Sequence, residues 1–160
     1  MRQGQISVYY GGKGKTCEAL GRGIRALADD QRVVMIQFME YQNKKEIKYL
    51  EKFEPDFRIF RFHKERAQMD LDEEMQKKEV SDEVRNAFNF SKKIVDTGEC
   101  DVLMLDGILE CVEMGFVTED ELNDLLDKRP AYLDIILTGS ILPASVVEKV
   151  DCAYRIITEK

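Results

Sequence analysis

The chain has 160 residues, 44% of them hydrophobic and 34% charged, which suits one domain spanning 1–160 with a sizeable core and excludes a wholly disordered chain. With 24 Lys and Arg against 31 Asp and Glu, the formal net charge is −7. Long-range electrostatics therefore argue against nucleic-acid and membrane partners, and any anion must be held by local chemistry. Cys17, Cys100, Cys111 and Cys152 are widely spaced, with no C-x-x-C pair and a single histidine in the chain, so neither a disulfide framework nor a structural metal is expected. Met1 to Val8 carries no signal-peptide pattern, and the expected location is cytoplasmic.

The first strand is predicted at Ile6 to Tyr10. It is followed at once by Gly11-Gly12-Lys13-Gly14-Lys15-Thr16 and then by a stretch of helical period in which Ala19, Leu20, Gly23, Ile24 and Leu27 form one apolar stripe, ended by Asp29-Asp30. Glycines let backbone N–H groups turn toward an anion, and a helix N-terminus adds partial positive charge. Lys15 supplies a formal charge, and the Thr16 hydroxyl can ligate Mg²⁺. A strand, a Gly/Lys loop and a helix in that order predict phosphate binding, although Tyr9 stands where the full G-x-x-x-x-G-K-[ST] pattern has glycine. Cys17 opens the helix, either as a small buried packing residue or as a thiol beside the phosphates.

The next strand, Val33 to Phe38, makes a βαβ unit whose two strands are expected to be a parallel pair. Further strands are predicted at Phe57 to Phe62, Val102 to Leu105, Asp134 to Thr138 and Ala153 to Thr158. The nearly continuous apolar runs at 33–38, 102–105 and 134–138 indicate burial on both faces. Helices are predicted at about 43–53, 81–97, 108–115, 118–128 and 142–149, with Ser81 and Thr118 as N-caps. The charge-dense segment 64–83 reads as a solvated helix or loop, or as a lid over a ligand. Strands alternating with helices give an α/β layered fold. Asp101-Val-Leu-Met-Leu-Asp106 has the form of a buried strand ending in an acid, so Asp106 is a second metal candidate, facing the phosphate loop.

In the order Val8 to Thr16, Ala19-Leu-Gly21, Gln37-Phe38, the strand ending at Asp106, Arg129-Pro130 and Ile136-Leu-Thr-Gly139, the chain resembles ATP:corrinoid adenosyltransferases of the BtuR/CobO type along nearly its whole length. The resemblance implies a three-layer, RecA-like P-loop fold with a mainly parallel sheet of about six strands. It also implies a transferase that moves the 5′-deoxyadenosyl group of ATP to the reduced cobalt of a corrinoid and releases triphosphate. ATP and Mg²⁺ would be held by Gly11, Gly12, Lys13, Gly14, Lys15, Thr16, Cys17 and Asp106, with Lys13 and Lys15 as the catalytic charges. Phe60, Phe62 and His63 fall where the family presents aromatic residues to the corrin. The residues alone allow core packing for the two phenylalanines and a surface strand end for His63. A homodimer and an electron-donor protein are implied partners, and cobalamin biosynthesis the implied setting.

Several positions depart from the family pattern. The loop is one residue shorter between Gly11 and Gly12. Gly107 follows Asp106 where a glutamate is usual, Met39-Glu40 replace a lysine after Gln37-Phe38, and Ser140 replaces an arginine. These departures leave two alternatives open: a nucleotide-binding protein of the same fold without transfer activity, and a P-loop ATPase or kinase of another branch.

Overall fold

A computed structural model describes residues 2–38, 44–63 and 73–160. Along the chain lie β1 (Ile6–Gly11), α1 (Lys15–Ala28), β2 (Val33–Gln37), α2 (Lys45–Leu50) with a 3-10 turn at Glu51–Phe53, β3 (Phe57–Arg61) and α3 (Glu73–Thr97). They are followed by β4 (Val102–Asp106), α4 (Ile108–Glu113), α5 (Glu119–Asp127), β5 (Asp134–Gly139), α6 (Ala144–Val147) and β6 (Cys152–Ile156). The six strands form one sheet in the order β3-β2-β4-β5-β1-β6, and every neighbouring pair is parallel. This is the α/β architecture expected from the sequence.

The continuous apolar runs resolve into two faces by strand alternation. Val33, Met35, Val102, Met104 and Ile136 join Ala19, Leu20, Ile47 and Phe57 in a core on the α1/α2 side. Their neighbours Val34, Ile36, Leu103, Leu105, Ile135 and Leu137 join Phe88, Ile108, Leu122 and Val146 in the larger core on the other side. All five residues of β2 and all five of β4 are buried, as the central strands of a sheet covered on both faces must be.

Three expectations need correction. β1 and β2 are parallel but not neighbours, because β4 and β5 lie between them; α1 therefore crosses two strands, a connection that periodicity does not encode. Ile24 is 52% exposed, so the buried stripe of α1 is narrower than predicted. Ser81 lies inside α3 rather than capping it, since the helix begins at Glu73; Glu, Met, Gln and Lys are good helix formers that extend it through the charged stretch. Within the segment 64–83, residues 73–83 are thus helical, and residues 64–72 lie outside the described residues. The chain reversal around Arg129-Pro130 is structural: Arg129 donates to Leu133 O at 3.0 Å.

Thr118 does cap α5. Its hydroxyl accepts from Glu121 N at 3.1 Å, and its own N–H donates to Glu121 Oε1 at 3.1 Å, a reciprocal capping box. Glu121 also accepts from Arg85 of α3, Nη2 to Oε1 at 2.8 Å and Nη1 to Oε2 at 2.5 Å, so the cap ties two helices together. The Arg85 hydrogen bonds hold the Glu121 carboxyl down at about 2, from an ordinary 4.5. A lowered folded-state value contributes stability that is present above the ordinary pKa and lost as pH falls toward the folded one. Glu121→Gln is accordingly expected to lower the melting temperature at pH 7 and to flatten its decline between about pH 4.5 and 2; thermal melts across that range check this, and parallel curves for both proteins would contradict it.

Candidate functional site

In a parallel sheet, ligands bind where the carboxyl ends of the strands open. There Gly11 ends β1, and the loop Gly12-Lys13-Gly14 runs into α1, which starts at Lys15. The loop leans on the edge strand through Gly12 N, which donates to Ile156 O at 2.9 Å. Gly11 to Cys17, together with Phe38, Lys44, Glu46, Asp106, Gly107, Glu110 and Thr138, line a cavity of about 840 Å³. That volume lies within the roughly 300–1,000 Å³ typical of small-molecule sites.

At the cavity floor, Asp106 Oδ1 accepts the hydroxyls of Thr16 and Thr138, each at 2.8 Å. Gly107 N donates to Thr138 Oγ1 at 2.8 Å. Both Thr16 and Asp106 are buried. The start of α1 and the ends of β4 and β5 thus meet on one carboxylate oxygen, with the charge kept buried by two charge-assisted hydrogen bonds.

On the cavity wall, Lys15 Nζ stands 3.2 Å from Glu110 Oε1, donates to Ser140 Oγ at 3.2 Å and to Gly11 O at 3.4 Å. Ser140 in turn donates to Glu110 Oε1 at 2.8 Å. Glu110 Oε2 is buried and has no hydrogen-bond partner among the described residues.

An all-oxygen donor set on the cavity floor suits Mg²⁺, which takes one or two carboxylates together with substrate phosphates. Among the described residues no cluster of three or more His, Cys, Asp or Glu forms a metal site by itself. The residues fit a cation that arrives with phosphate, since Thr16 and Asp106 already converge and a second carboxylate with an orphaned oxygen lines the same cavity.

The structure thus brings together Gly11, Gly12, Lys13, Gly14, Lys15, Thr16, Cys17 and Asp106. Cys17 is exposed, which corrects its reading as a buried packing residue: the first turn of α1 faces the cavity rather than the core. Phe60, Phe62 and His63 lie apart, at the end of β3 on the far side of the sheet order. Three strands lie between β3 and β1, and four inter-strand spacings amount to about 19 Å. Phe60 and Phe62 rest on Phe90 of α3, with ring centroids 4.6 and 5.4 Å apart, the packing that the residues alone allowed. Phe62 and His63 line a small pocket with Gln37 and Phe38, and Phe38 also faces the phosphate cavity. Met39 and Glu40 lie outside the described residues.

Sequence reasoning missed Lys44, Glu46 and Thr138 as cavity residues, and reached Glu110 only as an acid near Asp106 that could position water for hydrolysis. Thr138 was visible only as part of Leu-Thr-Gly. Glu110 was one helical turn past Asp106 on a helix with other acids. Lys44 belongs to a run of lysines that reads as helix surface.

Gly107 has a steric reason. Its φ is +83°, and a Cβ there would stand 2.5 Å from Phe38 O, so the carboxylate usual at this position has no room. Likewise a Cβ on Gly139 would meet Leu109 Cβ at 2.2 Å and Glu110 Oε2 at 2.9 Å; the bare backbone of β5 is what lets α4 bring Glu110 in.

Residues 2–160 match the family model of the ATP:corrinoid adenosyltransferases BtuR/CobO/CobP. An uncharacterized protein, all2391, of Nostoc sp. strain PCC 7120 is 30% identical over 161 residues, covering 92% of this chain and 42% of that protein. The chain therefore spans less than half the length of this curated relative. The crystal structure of the flagellar accessory protein FlaH from Methanocaldococcus jannaschii superposes with a TM-score of 0.57 at 16% identity, covering 97% of this chain and 72% of that one, a likeness that speaks for the fold alone.

Gly107→Glu is expected to destabilise the protein rather than restore a missing ligand. The left-handed backbone alone costs roughly 1–3 kcal/mol for a non-glycine residue, and the contact with Phe38 O adds to it. Denaturant unfolding checks this, and a variant as stable as the wild type would contradict it.

Proposed function

The chain belongs to the ATP:corrinoid adenosyltransferase family, and from that premise we propose that it transfers the 5′-deoxyadenosyl group of ATP to the reduced cobalt of a corrinoid. The observation that carries this reading is the cavity in which Gly11 to Thr16 face Asp106 across a buried hydroxyl network. In the transfer, cobalt supplies the electron pair, a Co–C bond forms at the ribose C5′, and the C5′–O bond breaks with its pair leaving on triphosphate.

The phosphate loop then serves the leaving group. Lys13, Lys15 and the loop amides stabilise charge accumulating on triphosphate, which is electrostatic catalysis without a general base. Thr16 and Asp106 would hold Mg²⁺, which when bound disperses part of that charge. Lys44, on the cavity wall, adds a cation that partly replaces the lysine absent after Gln37-Phe38.

We assign the corrin side to Phe60, Phe62 and His63. The support is placement: all six strands are parallel, so the end of β3 opens on the same side of the sheet as the phosphate loop. Phe38 links the two regions by lining both pockets. A cytoplasmic location, a homodimer, an electron-donor protein and a place in cobalamin biosynthesis complete the reading as expectations of the family. Among the described residues no helix is long and apolar enough to cross a membrane.

A second reading, nucleotide binding without transfer, is favoured by one feature: Lys15 is paired with Glu110, so part of the loop's charge is already neutralised by the protein itself.

Incubation with Mg-ATP and chemically reduced cobalamin separates the readings. The expected outcome is a Co–C product with one triphosphate released per turnover. ATP binding without product would favour the second reading, and release of orthophosphate would point to an ATPase. Lys15→Ala is expected to weaken Mg-ATP binding by about 10- to 100-fold, the equivalent of a charged hydrogen bond of about 1.5–3 kcal/mol; calorimetric titration measures it, and unchanged affinity would refute the loop assignment.

A further inference from the structure

We propose that Glu110 couples nucleotide binding to a divalent cation. Its carboxylate pairs with Lys15 and, once phosphate draws that lysine away, has to be compensated by a cation placed between itself and the phosphates. The inference rests on the reading that this cavity takes ATP.

The argument begins with the donors of Lys15. An ammonium group has three, and acceptors stand at Glu110 Oε1, Ser140 Oγ and Gly11 O, at 3.2, 3.2 and 3.4 Å. Phosphate can engage Lys15 only by displacing at least one of them. Glu110 is the one that changes the charge balance, because it is the only anion of the three.

What remains after displacement is unequal on the two carboxylates of the cavity. Asp106 Oδ1 keeps the hydroxyls of Thr16 and Thr138. Glu110 keeps the hydroxyl of Ser140 on Oε1, while Oε2 is buried with no partner among the described residues. A buried carboxylate oxygen without a donor is costly and calls for an ion or water. Beside triphosphate it also repels, as two like charges in one cavity do. A hard divalent cation answers both demands, whereas a monodentate lysine can serve only one anion at a time.

Space for this carboxylate is provided by Gly139, where any Cβ would lie 2.9 Å from Oε2, and by Ser140, whose short side chain donates to Oε1.

The experiment is calorimetric titration of the wild type, Glu110→Gln and Glu110→Asp with ATP, once in excess Mg²⁺ and once in EDTA, with thermal melts of each protein. The wild type is expected to bind Mg-ATP at least tenfold more tightly than metal-free ATP. Glu110→Gln should shrink that ratio at least tenfold, chiefly by tightening metal-free binding, while Glu110→Asp, which keeps the charge, should retain most of it. Should the glutamine variant not fold, the wild type alone still tests the idea with inorganic tripolyphosphate, which should bind only when Mg²⁺ is present. A ratio unaltered in Glu110→Gln, or wild-type tripolyphosphate binding indifferent to Mg²⁺, would overturn the role of Glu110 and leave ATP binding standing. A wild type that binds neither form of ATP would instead overturn the underlying reading, and Glu110's role with it.

Discussion

The site is organised around one carboxylate oxygen. Asp106 Oδ1 ends a fully buried strand and accepts hydroxyls from the first turn of α1 and from β5. Hydrogen bonds to a charged group contribute about 1.5–3 kcal/mol each, and more is lost when the charge is left alone in a low-dielectric interior. The junction therefore fixes where the phosphate loop stands relative to the sheet. Asp106 faces the phosphate cavity with hydroxyls rather than methyl groups on both of these neighbours: valine at 16 or 138 would keep the shape and remove one of the two hydroxyl donors.

Two of the departures from the family pattern, Gly107 and Ser140, bear on the same helix, α4. Gly107 turns the chain under Phe38 O, which lets α4 begin at once; α4 carries Glu110 one turn later to Lys15; and Ser140 receives Glu110 from the end of β5. An arginine at 140 would compete with Lys15 for the same carboxylate, and a glutamate at 107 would collide with backbone. Gly107 and Ser140, which look independent along the chain, thus stand at the two ends of the same arrangement, the start of α4 and the receiver of its Glu110. The second carboxylate of this cavity, Glu110, thus comes from α4 rather than from the residue after Asp106.

Strand positions were legible because burial on both faces leaves nearly continuous apolar runs at 33–38 and 102–105, a pattern unlike the alternation of half-exposed strands. The loop was legible because glycine, lysine and threonine have separate physical jobs within six residues. Strand order was not: nothing local in Ile6 to Gly11 states that its partners are β5 and β6 rather than β2. The start of α3 was hidden because charged helix formers carry no apolar stripe where the helix leaves the core. Glu110 was hidden for a different reason. Its role depends on the rotation of α4 after a left-handed glycine, and on a bare backbone 29 residues further on at Gly139, neither of which a spacing rule contains. Cys17 shows the same limit, since a small residue in a first helical turn is equally consistent with core and with cavity.

The strand order also sets a timetable. Ile6 pairs with Ile135, and Ser7 with both Ile136 and Cys152, so the strand made early waits for partners about 130 residues later. At about 5–20 residues per second, a ribosome leaves that apolar segment without its sheet for on the order of ten seconds. Until β5 and β6 arrive, β1 has no neighbour, Gly12 has no Ile156 to lean on, and the phosphate cavity does not exist. A nucleotide therefore cannot template the cavity while the chain is still being made, and the exposed first strand is the segment that a chaperone holding the nascent protein would have to cover.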